Sequence, residues 1–420
     1  MIEWYDFFIY GQASALVFGK LFFPGGSPVV GTLAAFASFA VGFGARPIGG
    51  VIFGHLGDRL GRKSTLLATL FLMGCATTLM GVLPTAAQIG VWAPILLVVL
   101  RILQGIAAGG EWGGGVLMMT EHAPAHRRGF YGSWPQTASS AAAVTAAAFM
   151  LILSNTMGSA TLLAWGWRVP FLCSIVLVAV GVFIRLRVPE SPEFALLKQN
   201  KLRARKPVVE VVRTQGRSVL LVIGLRMAEN VGGVMVSTFA LSYATNNLRL
   251  GATLGLTANM CASAVQFLLT PAYGLLSDRI GRRPVYLLGA GLHILVAFPF
   301  FWLVQTRDVP LILLAFVLGT AVANGALFAA QPAFFTELFP PRVRYSGMSL
   351  GYQFSAVIGG GVAPFIAAAL LAAGGNQTWP VSLYWAAMAA ISFVTALVCK
   401  ETLPRRTAAA TGAPQPAPGG

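Results

Sequence analysis

Twelve long apolar stretches occupy most of this chain, at approximately residues 2 to 19, 29 to 54, 65 to 84, 92 to 119, 130 to 153, 168 to 186, 219 to 244, 253 to 276, 284 to 304, 310 to 336, 346 to 373 and 380 to 399. Each is near the ~20 residues that a helix needs to cross the hydrocarbon core of a bilayer. With 56% hydrophobic and 10% charged residues and a mean hydropathy of +0.74, a water-soluble domain of this length is excluded. Lipid offers no partner to a free backbone amide, so each stretch is predicted to be helical. The segments are too long and too unpatterned for a transmembrane barrel. The fold class is therefore an all-α membrane protein with twelve transmembrane helices.

A repeated cassette divides these helices into two sets. It runs from Gly54 through Asp58, Arg59, Gly61 and Arg62 to Lys63, and returns from Gly274 through Asp278, Arg279, Gly281 and Arg282 to Arg283, with the Asp, Gly and Arg positions offset by 220 residues. Thr120, Glu121, Pro124 and Arg128 return as Thr336, Glu337, Pro340 and Arg344, offset by 216. Copies in the same order imply two pseudo-symmetric six-helix bundles, residues 1–188 and 218–400. The polar, basic stretch 189–217 links them, and the Pro/Ala/Gly-rich tail 401–420 is predicted to be disordered. Duplicated membrane halves enclose a central site served alternately from either side, which makes transport the leading function class. The cassette acids can accept from neighbouring arginines near helix ends, so both cassettes, with Glu121, Arg128, Glu337 and Arg344, are candidate gate residues.

A net charge of +16 invites a nucleic-acid partner, but the positions of the charges argue for topology instead. If the loops at 55–64, 120–129, 185–217, 277–283, 337–345 and 400–420 share one side, that side holds 22 of the 29 Lys and Arg. Only Lys20, Arg168, Arg249 and Arg307 fall opposite. The positive-inside rule then places both termini and the linker in the cytoplasm, with the chain multi-pass in a bacterial inner membrane. No basic cluster carries interleaved exposed aromatics, which excludes nucleic acid. Cys75, Cys173, Cys261 and Cys399 fall inside predicted spans without close spacing, and the four histidines form no metal-ligand pattern. Without a Ser/His/Asp order, a phosphate loop or a dinucleotide fingerprint, no catalytic residue, metal or cofactor is expected, and the chain is not an enzyme.

Charges inside the spans carry the chemistry. Arg46, Arg101 and Arg226, with Glu3, Asp6, Glu111 and Glu229, lie within predicted helices. Each costs at least ~2.5 kcal/mol on insertion scales and needs a partner or a wet cavity. Glu3, Asp6 and Tyr10 form one stripe on the first helix, and Arg101, Gln104 and Glu111 another on the fourth, among glycines that permit close approach. Asn259, Ser263, Gln266 and Thr270 stripe the eighth helix, and Asn324 and Gln331 the tenth. Together these faces are expected to line one cavity.

The paired cassettes, with Arg101, Gln104, Gly105, Gly109, Gly110 and Glu111, resemble the loop and fourth-helix motifs of the major facilitator superfamily. The opening run Glu3 to Gly11, with Ala45 to Gly49 and Gly110 to Gly114, resembles its metabolite:proton symporter family. Glu121 to Pro124 and Gly129 to Gln136 are most similar to the shikimate-permease-like branch. The resemblance implies a symporter driven by the proton gradient that imports a small carboxylated metabolite by alternating access, working as a monomer in the bilayer. Its partners would be protons and a small organic acid or zwitterion. Related sugar carriers pair a first-helix Asp with the fourth-helix Arg, so Asp6 and Arg101 are the proton-coupling expectation, followed by Glu3 and Glu111. Making and breaking that pair would tie proton uptake to conformation. Arg226 and Arg46 suit a carboxylate by bidentate hydrogen bonding, although Glu229, one turn from Arg226, can neutralise it. Tyr10, Gln104, Trp134, Gln136, Asn230, Gln266, Asn324, Gln331, Tyr352 and Gln353 supply hydroxyl, indole and amide groups for the substrate set. The alternatives are an osmolyte symporter for proline or betaine, a proton-independent facilitator or exchanger, and, from another class, a non-transporting sensor. Family members have further apolar residues before the opening motif. With Lys20 as the outer exit, the first helix is only ~28 Å long, so a truncated or misassigned start is expected.

Overall fold

A computed structural model describes residues 2–24, 28–60, 62–187, 207–340 and 343–403. Of the linker read over 189–217, residues 189–206 lie outside the described residues, while 207–217 holds a short helix and the start of the next; of the tail read over 401–420, residues from 404 lie outside them. So do Gly61 and the side chains of Glu3, Asp58, Arg59 and Arg62. The described chain is helical without strands. Helix α1 runs as Ile2–Ala13, continued by a π turn Ser14–Phe18 and by Gly19–Leu21. The first half continues with α2 (Pro28–Leu60), α3 (Arg62–Val82), α4 (Trp92–His122), α5 (Arg128–Thr161) and α6 (Arg168–Arg187). After a short helix Pro207–Thr214, the second half holds α7 (Gly216–Asn247), α8 (Ala252–Ile280), α9 (Arg282–Gln305), α10 (Val309–Glu337), α11 (Arg344–Ala373) and α12 (Trp379–Val398).

Among the described residues, eleven helices are long and apolar enough to cross a membrane, and α1 packs with them as the twelfth. The halves meet along α5 against α8 and α2 against α11. Within the first half, α2 and α4 touch backbone to backbone. A Cβ on Gly49, Gly105 or Gly109 would land on the carbonyl oxygens of Ile106, Gly42 and Arg46 respectively. In lipid, where apolar side chains gain nothing by leaving the solvent, such small-residue seams let helices associate by contact.

Several helices are irregular at mid-height, and the irregularity positions polar groups. The α-helical path of α7 breaks at Arg226, between Gly216–Leu225 and Met227–Val234. Backbone groups freed in a membrane need partners. Ser392 of α12 supplies them, accepting from the Ala228 N–H at 2.7 Å and facing the carbonyls of Leu225 at 2.7 Å and Gly224 at 2.9 Å. Wider π turns interrupt α10 at Val317–Asn324 and α11 at Ala356–Gly361.

Candidate functional site

Between the halves lies a cavity lined by residues of both. The first half contributes Trp4, Phe7, Phe8 and Gln12 from α1, Phe43 and Arg46 from α2, and Ser139 from α5. The second contributes Arg226, Glu229, Asn230 and Ser237 from α7, Asn259, Ser263 and Gln266 from α8, Thr320, Asn324 and Phe328 from α10, and Gly360 from α11. Aromatic rings form much of the wall: Trp4 meets Phe328 across the interface at 5.8 Å, and Phe7 meets Phe43 edge-on at 5.4 Å.

Two guanidinium groups reach this space. Arg226 is buried and matched: its Nη2 lies 2.7 Å and its Nε 2.9 Å from Glu229 Oε2, and its Nη1 donates to the Tyr352 carbonyl and Ser355 Oγ. Its Cζ lies 3.3 Å from the centre of the Tyr352 ring. Arg46 stands over Phe43 at 4.6 Å and Phe7 at 5.9 Å. It borders both the main cavity and a smaller pocket shared with Met73, Arg101 and Gln104.

Behind that smaller pocket, Asp6 and Arg101 are joined indirectly. In place of the expected ion pair, Thr77 Oγ1 lies 2.7 Å from Asp6 Oδ2, Gln104 Nε2 donates to Thr77 Oγ1 at 2.8 Å, and Arg101 Nη1 donates to Gln104 Oε1. Ser174 Oγ donates to Asp6 Oδ1 at 2.9 Å. Arg101 turns aside because its guanidinium stacks over Tyr10 at 4.1 Å and Phe39 at 5.1 Å, with Gly42 leaving room for its stem.

Of the residues expected to meet substrate, Arg46, Arg226, Glu229, Asn230, Gln266 and Asn324 line the cavity. Gln136, Gln331, Tyr352 and Gln353 instead form a polar layer between the cavity and the helix ends that carry the cassettes. Gln136 Nε2 donates to Gln331 Oε1 at 3.0 Å across the halves, and Trp112 Nε1 donates to Gln136 Oε1 at 3.3 Å. Tyr352 stacks on Trp112 at 3.6 Å, while Gln353 Nε2 and Tyr345 Oη donate to the carbonyls of Gly109 and Gly110. Tyr10 lies behind the wall, hydrogen-bonded to Ser38, and Gln104 faces only the smaller pocket. Trp134 is 43% exposed and packs on Phe130 outside the cavity. Two positions from inward-facing Gln136 is about 200° around a helix, so both cannot face inward. Glu111 is half-buried on α4, and Glu3 lies outside the described side chains.

Residues not singled out from the sequence include the aromatic walls Trp4, Phe7, Phe8, Phe43 and Phe328, and the small polar groups Ser139, Ser237 and Thr320. Asn259 and Ser263, on the stripe read in the eighth helix, do line the cavity, whereas Thr270 is turned back onto the Gln266 carbonyl. Toward the end away from the cassettes, Val234, Leu241 and Leu256 of the second half join Ala13, Val17 and Ala146 of the first in one apolar cluster.

At the cassette end, Asp278 bridges the halves. Its carboxylate accepts from the backbone N–H of Gly129 at 2.9 Å and Phe130 at 2.8 Å, at the start of α5, where helix N–H groups lack internal partners. Arg282, fully buried, holds the same carboxylate at 2.6 Å and reaches Glu337 at 3.5 Å. Glu401 caps α9 through the N–H groups of Arg282 and Arg283, and Arg283 donates to the last carbonyls of α12, Ala396 and Leu397. Gly281 makes the intervening turn at φ +109°, a conformation L side chains rarely adopt. Lys63 donates to the Leu186 carbonyl, Arg344 to the Phe339 carbonyl, Arg128 and Glu121 are half-buried, Gly54 faces Tyr345, and Arg279 is exposed. Gly61 and the side chains of the cassette partners Asp58, Arg59 and Arg62 lie outside the described residues.

Removing the Asp278 carboxylate deletes charge-assisted bonds worth ~1.5–3 kcal/mol each. Asp278→Ala is therefore expected to raise about tenfold or more the rate at which a cysteine at Ser263, in a cysteine-free background, reacts with an impermeant thiol reagent from the cassette side. An unchanged rate would show that Asp278 does not hold that end closed.

Comparison with known proteins agrees with this architecture. The profile of the sugar (and other) transporter family matches residues 1–217, and that of the major facilitator superfamily matches residues 227–419. The chain is 42% identical to the shikimate transporter of Escherichia coli (strain K12), over 96% of this chain and 92% of that protein. It is 35% identical to the proline/betaine transporter of the same strain, over 98% of this chain and 83% of that protein. Its fold matches that of the proton:xylose symporter XylE bound to 6-bromo-6-deoxy-D-glucose with a TM-score of 0.71, at 16% identity and coverage of 94% and 93%. Twelve helices around a central polar cavity, with relatives aligned along nearly the whole chain, make this protein a transporter of the major facilitator superfamily and not an enzyme.

Proposed function

We propose that this transporter imports a small carboxylated metabolite of the shikimate type together with a proton, driven by the proton gradient and without a cofactor. The observation that carries this reading is the place of Arg46, which borders both the cavity and the pocket leading to Gln104 and Arg101. An anion held there would change the field at the buried Asp6 network, which is what coupling a substrate to a proton requires. Arg46, buried at the junction of the two spaces, is the carboxylate partner in this reading, since a guanidinium can meet a carboxylate with two parallel hydrogen bonds. Likeness to a shikimate transporter supports the substrate class. The positive-inside distribution supports a bacterial inner membrane with the cassettes and both termini in the cytoplasm. A functional monomer is in keeping with a site built within one chain.

The aromatic walls favour a second reading. Rings of Trp4, Phe7 and Phe43 beside the Arg226 and Glu229 pair suit an osmolyte ammonium by cation–π contact, as the likeness to a proline/betaine transporter also suggests. Uptake of labelled shikimate, 2-oxoglutarate, citrate and proline into proteoliposomes, with and without an imposed proton gradient, separates these readings. Accumulation of one acid only with the gradient is expected; accumulation of proline instead selects the osmolyte reading, and mere equilibration indicates a facilitator. In the same assay, Arg46→Gln is expected to raise KM for the acid about a hundredfold, the scale of a lost buried guanidinium–carboxylate bond. A KM unchanged in the variant would place the carboxylate elsewhere.

A further inference from the structure

Taking Asp6 as the site of the coupled proton, as proposed above, we infer that Thr77 is the positioning hydroxyl that lets this carboxyl be held equally well with and without its proton. Thr77 Oγ1 has three neighbours at hydrogen-bonding distance: Asp6 Oδ2 at 2.7 Å, Gln104 Nε2 at 2.8 Å and the Met73 carbonyl, one turn back on α3, at 3.0 Å. A hydroxyl has one hydrogen and two lone pairs. The orientation of the Gln104 amide is fixed by Arg101, which has only donors and so claims the amide oxygen. The Gln104 nitrogen therefore faces Thr77 and occupies one lone pair in every state.

What remains is one hydrogen and one lone pair, set between a carboxylate oxygen and a backbone carbonyl. With Asp6 ionised, the Thr77 hydrogen points to Oδ2. When a proton arrives, a new O–H bond forms on Oδ2 and donates into the second Thr77 lone pair, while the Thr77 hydrogen turns about its C–O bond to the Met73 carbonyl. No proton leaves the group and no heavy atom moves. Ser174 selects the oxygen, because its hydroxyl donates to Oδ1 at 2.9 Å and has no other acceptor among the described residues. The charged or titratable groups facing Asp6 among the described residues are Tyr5 on α1 and Arg101 and Glu111 on α4; α3 contributes the neutral Thr77 and α6 the neutral Ser174. Thr77 is buried, which matches a role inside the protein and not in substrate contact.

The test is ligand-free: pH-difference infrared spectra of the full-length chain in lipid, in which the protonated Asp6 carbonyl band is identified by its loss in Asp6→Asn. Thr77→Val and Thr77→Ala are each expected to move that band to higher wavenumber, since the carboxylic acid loses its acceptor, and to displace its titration midpoint. Thr77→Ser, which keeps the hydroxyl, is expected to leave band and midpoint in place. In proteoliposomes, the ratio of gradient-driven accumulation to counterflow of labelled shikimate is expected to fall about tenfold or more in the two hydroxyl-free variants and to recover in serine. An unmoved band in Thr77→Val or Thr77→Ala, or a serine variant displaced as far as valine, overturns the role of Thr77. If Asp6→Asn removes no band, it is the proton site itself that is misplaced.

Discussion

Replacing Asp6 by asparagine is expected to abolish uphill uptake, bringing the accumulation ratio under an imposed proton gradient down to unity, while exchange of substrate across the membrane continues at a reduced rate. Asparagine has nearly the same shape, and its amide oxygen can still accept from Ser174. Its nitrogen can donate to Thr77 as a protonated carboxyl would. The variant is thus fixed in the uncharged form. A carrier whose proton site cannot change charge has no means of drawing on the gradient, because a ligand shifts an equilibrium only through differential interaction with its states. Counterflow in the absence of a gradient measures the remaining cycle. Undiminished accumulation in Asp6→Asn would move the proton to another acid, with Glu111 the next within the same half.

The two halves, alike in their helices, use their buried charges differently. In the first, Asp6 is met by two hydroxyls, and Arg101 is tied to a glutamine and two rings. In the second, Arg226 and Glu229 pair directly and a backbone carbonyl, a serine and a ring complete the shell. A duplicated scaffold supplies the symmetry needed for alternating access, but the described buried residues are not symmetric: Asp6 is held by hydroxyls, whereas Glu229 is held by a guanidinium. If Asp6 carries the coupled proton as proposed, this asymmetry puts proton handling in one bundle and structural charge balance in the other.

What could be read from the sequence followed the strength of the physical constraint. Helices were legible because lipid permits little else, and the duplication because Asp278 and its fixed neighbours repeat an earlier spacing. Asn259, Ser263 and Gln266 were legible as a stripe because amides and hydroxyls are conspicuous on an apolar helix at spacings of four and three residues. Phe7, Phe43 and Phe328 were not, since a ring facing a cavity and a ring facing lipid look alike in sequence. Trp134 was misplaced by adjacency to Gln136, which lies on the opposite face. The indirect joining of Asp6 and Arg101 was hidden because Thr77 belongs to a helix with no charge in its middle to mark it. The partners of Asp278 across the interface were hidden for another reason: they are backbone N–H groups, which every residue but proline carries.

Glu229→Gln is expected to produce the largest loss of stability of any single change near the cavity. The mutation leaves the Arg226 guanidinium buried without its counter-charge, and breaking one side of such a pair costs ~3–5 kcal/mol, well above the few tenths expected for an exposed pair. The neighbouring bonds offer little relief: Nη1 is already committed to the Tyr352 carbonyl and Ser355, and Gln331 Nε2, which donates toward Glu229 Oε2 at 3.3 Å, would face an amide. Arg226→Met together with Glu229→Gln removes both charges and keeps much of the volume. Because the pair is one unit, the double variant is expected to recover most of the loss, so that the two single effects fail to add. Thermal unfolding of the purified variants in detergent measures each corner of the cycle. A double variant as unstable as the sum of its single changes would mean that Arg226 and Glu229 act through separate contacts, and that Arg226 is then available to meet a substrate carboxylate in the cavity.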